Sequence, residues 1–86
     1  MKYVIDGKKM TGRNEAHDEL FRALELPEYY GRNLDALWDC MTEMQGDVVL
    51  ESSAEMLSHL ESYGFKLLQT MREAAEKNPN LTFTAQ

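Results

Sequence analysis

At 86 residues with a formal charge of −6, the chain is sized for one domain over residues 1–86 with a single modest core, and its acidity sets it against nucleic acid as a partner. No apolar run approaches the ~20 residues that span a bilayer, and Met1-Lys2 leads into Tyr3-Val4-Ile5 without the apolar stretch of a signal peptide; both predict a cytoplasmic protein, not a membrane one. Cys40 is the one cysteine, which excludes an internal disulfide and a cysteine-built metal cluster.

In chain order, Tyr3, Val4 and Ile5 read as a short strand closed by the turn signal Asp6-Gly7. A helix follows, with Asn14 as its cap, Glu15, Asp18 and Glu19 suited to the positive end of its dipole, and His17, Leu20, Phe21 and Leu24 as its apolar stripe. Pro27 ends that region. Asn33 caps a second helix predicted from about Leu34 to Met44 and stopped near Gly46, after which Val48-Val49-Leu50 reads as a short buried strand. Ser53 caps a third helix that turns Met56, Leu57 and Leu60 inward. Gly64 separates it from a fourth, in which Leu67, Leu68, Met71, Ala74 and Ala75 point to the core, and Asn78-Pro79-Asn80 ends this one. Leu81, Phe83 and Ala85 alternate with Thr82 and Thr84 as a last strand with one buried face.

Strand, helix, helix, strand, helix, helix, strand predicts an α/β fold: helical crossovers return each strand in the same direction, giving a three-stranded parallel sheet packed with four helices. The sequence contains no linker, internal repeat or low-complexity segment.

The charge is unevenly placed. Between Glu28 and Glu55 lie seven acids (Glu28, Asp35, Asp39, Glu43, Asp47, Glu51 and Glu55) against one base, Arg32, while the rest of the chain holds eight of each sign. That concentration predicts a field aimed at a cationic partner. The competing reading, a solvated face kept for solubility, is opposed by the aromatics that flank it. On the second helix Leu34, Leu37, Trp38 and Met41 share one stripe, and Asp35, Asp39, Thr42 and Glu43 share another. Trp38 is expected to be partly core, Tyr30 to close the loop against a helix, and Gly31 to supply a positive φ. Asn33 reads first as a cap, and Asp35 also suits the helix dipole.

Little here points to catalysis. His17 lies on an apolar stripe and reads as a hydrogen-bonded imidazole at the edge of the core, and His59 sits in an ordinary helical pattern. Cys40 flanks the apolar stripe and reads as a buried, inert thiol without a histidine partner. There is no nucleophile elbow and no glycine-rich phosphate loop. Asp35, Asp39 and Glu43 repeat at i, i+4 and i+8, but three carboxylates on one convex helix give a metal no cage and no nitrogen ligand, so neither metal nor cofactor is predicted.

The run Leu26 to Asp39, LPEYYGRNLDALWD, resembles the barstar family, small intracellular inhibitors of a secreted bacterial ribonuclease. The likeness extends to KYVIDGKK as the first strand, to His17 in the first helix and to MREA at Met71 to Ala74 in the last; Glu51 to Tyr63 matches least. The resemblance implies a barstar-like fold and a one-to-one complex with a small secreted microbial ribonuclease, the free chain being monomeric. Inhibition would come from carboxylates and aromatics filling the RNA-phosphate positions of the enzyme's cleft, with no turnover. By resemblance, Asp39 enters the catalytic phosphate site, Asp35 pairs with a neighbouring cationic or amide group, Tyr29 packs on the catalytic histidine, and Trp38 and Thr42 flank them. Tyr30, Gly31, Asn33, Glu43, Glu73 and Glu76 complete the partner-binding set.

The chain departs from the family where glycine and tryptophan give way to Glu43 and Met44, and where an acidic position of the last helix falls at Lys77. These changes bear on partner choice. They keep open an alternative, a barstar-like immunity or regulatory module whose acidic face binds a different basic protein.

Overall fold

The computed structural model describes residues 1–86. Strands β1 (Lys2–Asp6), β2 (Gly46–Glu51) and β3 (Leu81–Ala85) form one parallel sheet in the order β1-β2-β3. Helices α1 (Arg13–Ala23) and α2 (Leu34–Met41) connect the first two strands, and α3 (Ser53–Leu60) and α4 (Ser62–Lys77) connect the last two. A single 3-10 turn, Gly7–Lys9, follows β1. This is the barstar-like α/β architecture expected from the order of elements.

Register and burial together show which side of the sheet is covered. Ile5 pairs with Leu50 and Leu50 with Ala85, while Tyr3, Val48 and Phe83 form the neighbouring row; these residues turn toward the helices. The alternate row, Val4, Val49 and Thr84, lies on the other face, where Val4 is exposed. Parallel sheets usually have both faces covered and read as continuous apolar runs. Here only one face is covered, so Val49 is half-buried and not part of the buried run expected for Val48-Leu50.

Between sheet and helices, Ile5, Leu20, Leu37, Met41, Leu50, Met56, Leu67 and Met71 are fully buried. Each such side chain contributes roughly 1.5–3 kcal/mol by leaving water. Leu68 and Ala75 pack only partly buried against this core. Glu19 is a buried exception: its carboxylate accepts from the Asp6 backbone N–H at 2.8 Å and from Arg22 at 2.6 and 3.0 Å, pinning α1 to the end of β1.

Several element ends differ from the sequence expectation. Gly12, not Asn14, precedes α1: its carbonyl accepts from Ala16 N–H at 2.8 Å, and Asn14 is already inside the first turn. α3 is preceded by Ser52 in the left-handed region (φ 57°), so Ser53 is its first residue and not its cap. The break between α3 and α4 falls at Glu61, whose φ of 54° reverses the chain, and not at Gly64. Gly64 lies inside α4, where a Cβ would come within 3.2 Å of Leu57 and Leu60; its smallness lets the two helices meet.

α2 ends at Met41, three residues before the expected Met44. The Glu43 and Met44 amides tighten the turn onto the Cys40 and Met41 carbonyls, and the buried Asn78 side chain donates to Met41 O at 3.0 Å and Met44 O at 2.7 Å. Those bonds take up carbonyls that a helix end leaves unpaired. Gly46 therefore does not stop the helix. It opens β2 at φ 129°, where a Cβ would lie 2.5 Å from Met1 O.

Candidate functional site

The loop between α1 and α2 turns two adjacent tyrosines in opposite directions. Tyr30 is buried and Tyr29 is 86% exposed. The Tyr30 hydroxyl lies 2.6 Å from His17 Nδ1, and the Tyr63 hydroxyl of α4 lies 2.7 Å from His17 Nε2. With one ring nitrogen donating and the other accepting, the neutral imidazole is fully satisfied. Burial, reinforced by Arg32 and Arg13, holds the His17 pKa below its ordinary value. This is the core-edge histidine expected from the sequence, and it ties α1, the loop and α4 together. Burial also pushes the Tyr30 hydroxyl well above the usual tyrosine range.

Gly31 does not supply the positive φ expected of it. That role falls to Arg32 at φ 54°. A Cβ on Gly31 would approach Ala36 Cβ to 3.2 Å, so the glycine is small for close approach of loop to helix. Asn33 caps α2 as expected: its Oδ1 accepts from Ala36 N–H at 2.7 Å, and its Nδ2 donates to Gly31 O at 3.1 Å.

Arg32, the lone base of the acidic stretch, is turned away from it. Its guanidinium pairs with Asp18 of α1 and also donates to Asn14 O at 3.2 Å. The other ion pair of the chain joins Arg22 to Glu19. Asp35, Asp39 and Glu43 are exposed and carry no ion pair. Glu43 lies past the end of α2, so it departs from the helical stripe on which Asp35 and Asp39 sit. Trp38 packs half-buried against the core, and the Thr42 hydroxyl donates to Asp39 O at 3.1 Å.

Tyr29, Tyr30, Gly31, Ala36, Asp39 and Cys40 line an open pocket of about 250 Å³ between loop and helix. An aromatic wall with one carboxylate suits a flat cationic group. Cys40 is half-buried and not buried as expected. Burial, together with Asp39 and Glu43, pushes its pKa up.

The structure thus brings Tyr29, Tyr30, Gly31, Asn33, Asp35 and Asp39 together on one loop and helix. Glu73 and Glu76 lie on the exposed side of α4, in a separate groove with Phe65, Leu68, Gln69 and Arg72 that no α2 residue lines. Glu73 accepts a bond of 3.1 Å from Gln69. No three His, Cys, Asp or Glu side chains converge as a ligand set, and no helix is long and apolar enough to cross a membrane. Two residues that shape the site escaped the sequence reading. Asn78 looked like a helix stop, and Arg32 carried a signal only in being the single base among seven acids.

Parallel sheet, four helices and an acidic helix beside an aromatic loop define a small α/β protein of the barstar-like class. The family model described as Barstar (barnase inhibitor) matches residues 1–86, including the Glu51 to Tyr63 stretch where the likeness in sequence was least. Over 79 residues the chain is 39% identical to a protein of Bacillus subtilis (strain 168) named "Putative ribonuclease inhibitor YrdF", covering 88% of this chain and 87% of that one. The chain belongs to the Barstar family. Membership supports a barnase-inhibitor-like role with a ribonuclease as partner, and an inhibitor in preference to an enzyme.

Proposed function

We propose that this protein inhibits a small secreted ribonuclease, one to one, by seating α2 and the Tyr29–Gly31 loop in the enzyme's RNA-binding cleft. The observation that carries the reading is the diversion of Arg32. With the one base of the Glu28–Glu55 stretch paired to Asp18, and with no ion pair of their own, Asp35, Asp39 and Glu43 face outward, as mimics of RNA phosphates require. Asp39 occupies the catalytic phosphate position, and Asp35 pairs beside it. The pocket beneath Tyr29 receives the enzyme's flat cationic side chain, protonated histidine or guanidinium. The protein acts as a single domain in the cytoplasm, monomeric until it meets the enzyme, and protects its own cell before export.

Exposed ion pairs contribute only ~0–1 kcal/mol, so this surface gains affinity only if the enzyme buries the carboxylates and pairs them. Inhibition kinetics test the mechanism directly. The expected result is inhibition competitive with RNA at one protein per enzyme; inhibition unaffected by RNA concentration would contradict a seat in the cleft.

Glu43, Met44 and Lys77 favour a second reading. Two of them sit at the end of the acidic surface where the family carries glycine and tryptophan, and Lys77 is exposed at the end of α4. In that reading the same surface serves as an immunity or regulatory module for a different basic protein, and binding occurs without competition from RNA.

A further inference from the structure

Sharing Tyr29 and Cys40 with the 250 Å³ pocket is a larger groove of about 390 Å³. Its apolar lining comes from three places: Tyr3 of β1; Leu24, Leu26 and Pro27 after α1; and Cys40 of α2 with Met44 in the turn that follows it. Its polar lining is Glu25 and Glu43 alone. Neither carboxylate belongs to an ion pair, and no lysine or arginine lines the groove. The backbone holds this arrangement. Leu26 N–H bonds back to Phe21 O at 3.1 Å, and Glu25 sits at φ 52°, a left-handed turn that carries it out of α1. From the other side, Asn78 fixes the carbonyls of Met41 and Met44, and so the turn that bears Glu43.

We infer that this groove is a second partner subsite that takes one long basic side chain, its aliphatic stem against Leu24, Leu26 and Met44 and its cationic head between Glu25 and Glu43. An apolar floor alone would accept an aromatic or aliphatic group, but two unpaired carboxylates select a cation on an apolar stem. The inference rests on the proposed inhibitor function, because the groove shares Tyr29 and Cys40 with the pocket assigned to the enzyme's catalytic side chain. A ribonuclease, which must hold a polyanion, carries such side chains around its cleft. Glu43 gives the subsite one of its two carboxylates and Met44 part of its floor, so it bears on the choice among ribonucleases.

The test measures association and dissociation rates for the ribonuclease that the wild-type chain binds, using Glu25→Gln/Glu43→Gln and a control with equal loss of charge, Glu51→Gln/Glu55→Gln. Both pairs are exposed, and circular dichroism checks that both variants fold. A seated side chain acts on dissociation, whereas a steering charge acts on association. The expected result is dissociation about tenfold faster or more for the groove variant, with dissociation of the control unchanged. If the two variants behave alike while Asp39→Ala still weakens binding, the groove is overturned and the inhibitor function stands. If the wild-type chain binds no ribonuclease, both fall.

Discussion

The Tyr30 hydroxyl and His17 Nδ1 are joined by a buried hydrogen bond of 2.6 Å that fastens the loop between α1 and α2 to α1. Its neighbour Tyr29 projects into solvent because Tyr30 does not. Tyr30→Phe leaves one imidazole nitrogen buried without a partner, which costs about 1–3 kcal/mol. Urea denaturation is expected to show a lower midpoint with an unchanged slope.

His17 also sets a pH dependence. Its folded pKa lies below its ordinary 6.5, so between the two values the unfolded chain binds more protons. The stability it confers is complete above pH 6.5 and is lost as pH falls through the folded value. Glu19 works lower: burial raises its pKa, but the bonds from Arg22 and the Asp6 amide outweigh that and hold it below 4.5. Its contribution is therefore lost only under that pH. Urea midpoints measured from pH 8 to 5 are expected to fall below pH 6.5 in the wild type, and His17→Gln to flatten that part of the curve.

Asn78 holds the end of α2 through two carbonyls. Asn78→Ala is expected to cost about 1–3 kcal/mol, since the Met44 carbonyl loses its partner and the Met41 carbonyl keeps only the Met44 N–H. Hydrogen exchange should quicken at the amides of residues 42 to 46 while the β2 core remains protected.

Much of this was legible in the sequence, and the gaps have physical causes. Apolar spacing gave all seven main elements, because one covered sheet face and amphipathic helices leave a plain periodic signal. Element ends were read poorly where the answer lay in tertiary contacts. Gly64 is small for packing against Leu57 and Leu60, not for a turn, and α2 stops early because a side chain 37 residues away takes the Met41 carbonyl. For the site, residue type and spacing put Asn33 at the cap and Asp35 and Asp39 on one acidic face, while Tyr29 was marked only by the likeness to the barstar family. The orientation of Arg32 was hidden, since whether a base neutralises its neighbours or turns from them depends on Asp18, which lies in another helix.

An acidic surface should steer its partner. The association rate is expected to fall as salt rises toward 1 M, where the screening length shrinks to ~3 Å, with the dissociation rate changing far less. Stopped-flow mixing at two ionic strengths checks this.

The central claim is that Asp39 anchors the complex. Calorimetric titration of the wild-type protein and Asp39→Ala into a panel of small secreted microbial ribonucleases tests it most directly. The account predicts tight one-to-one binding to at least one member, weakened in the variant by about 2–5 kcal/mol, the loss typical of breaking a buried charge pair. Tight binding that survives Asp39→Ala, or a folded protein that binds no ribonuclease, would contradict it.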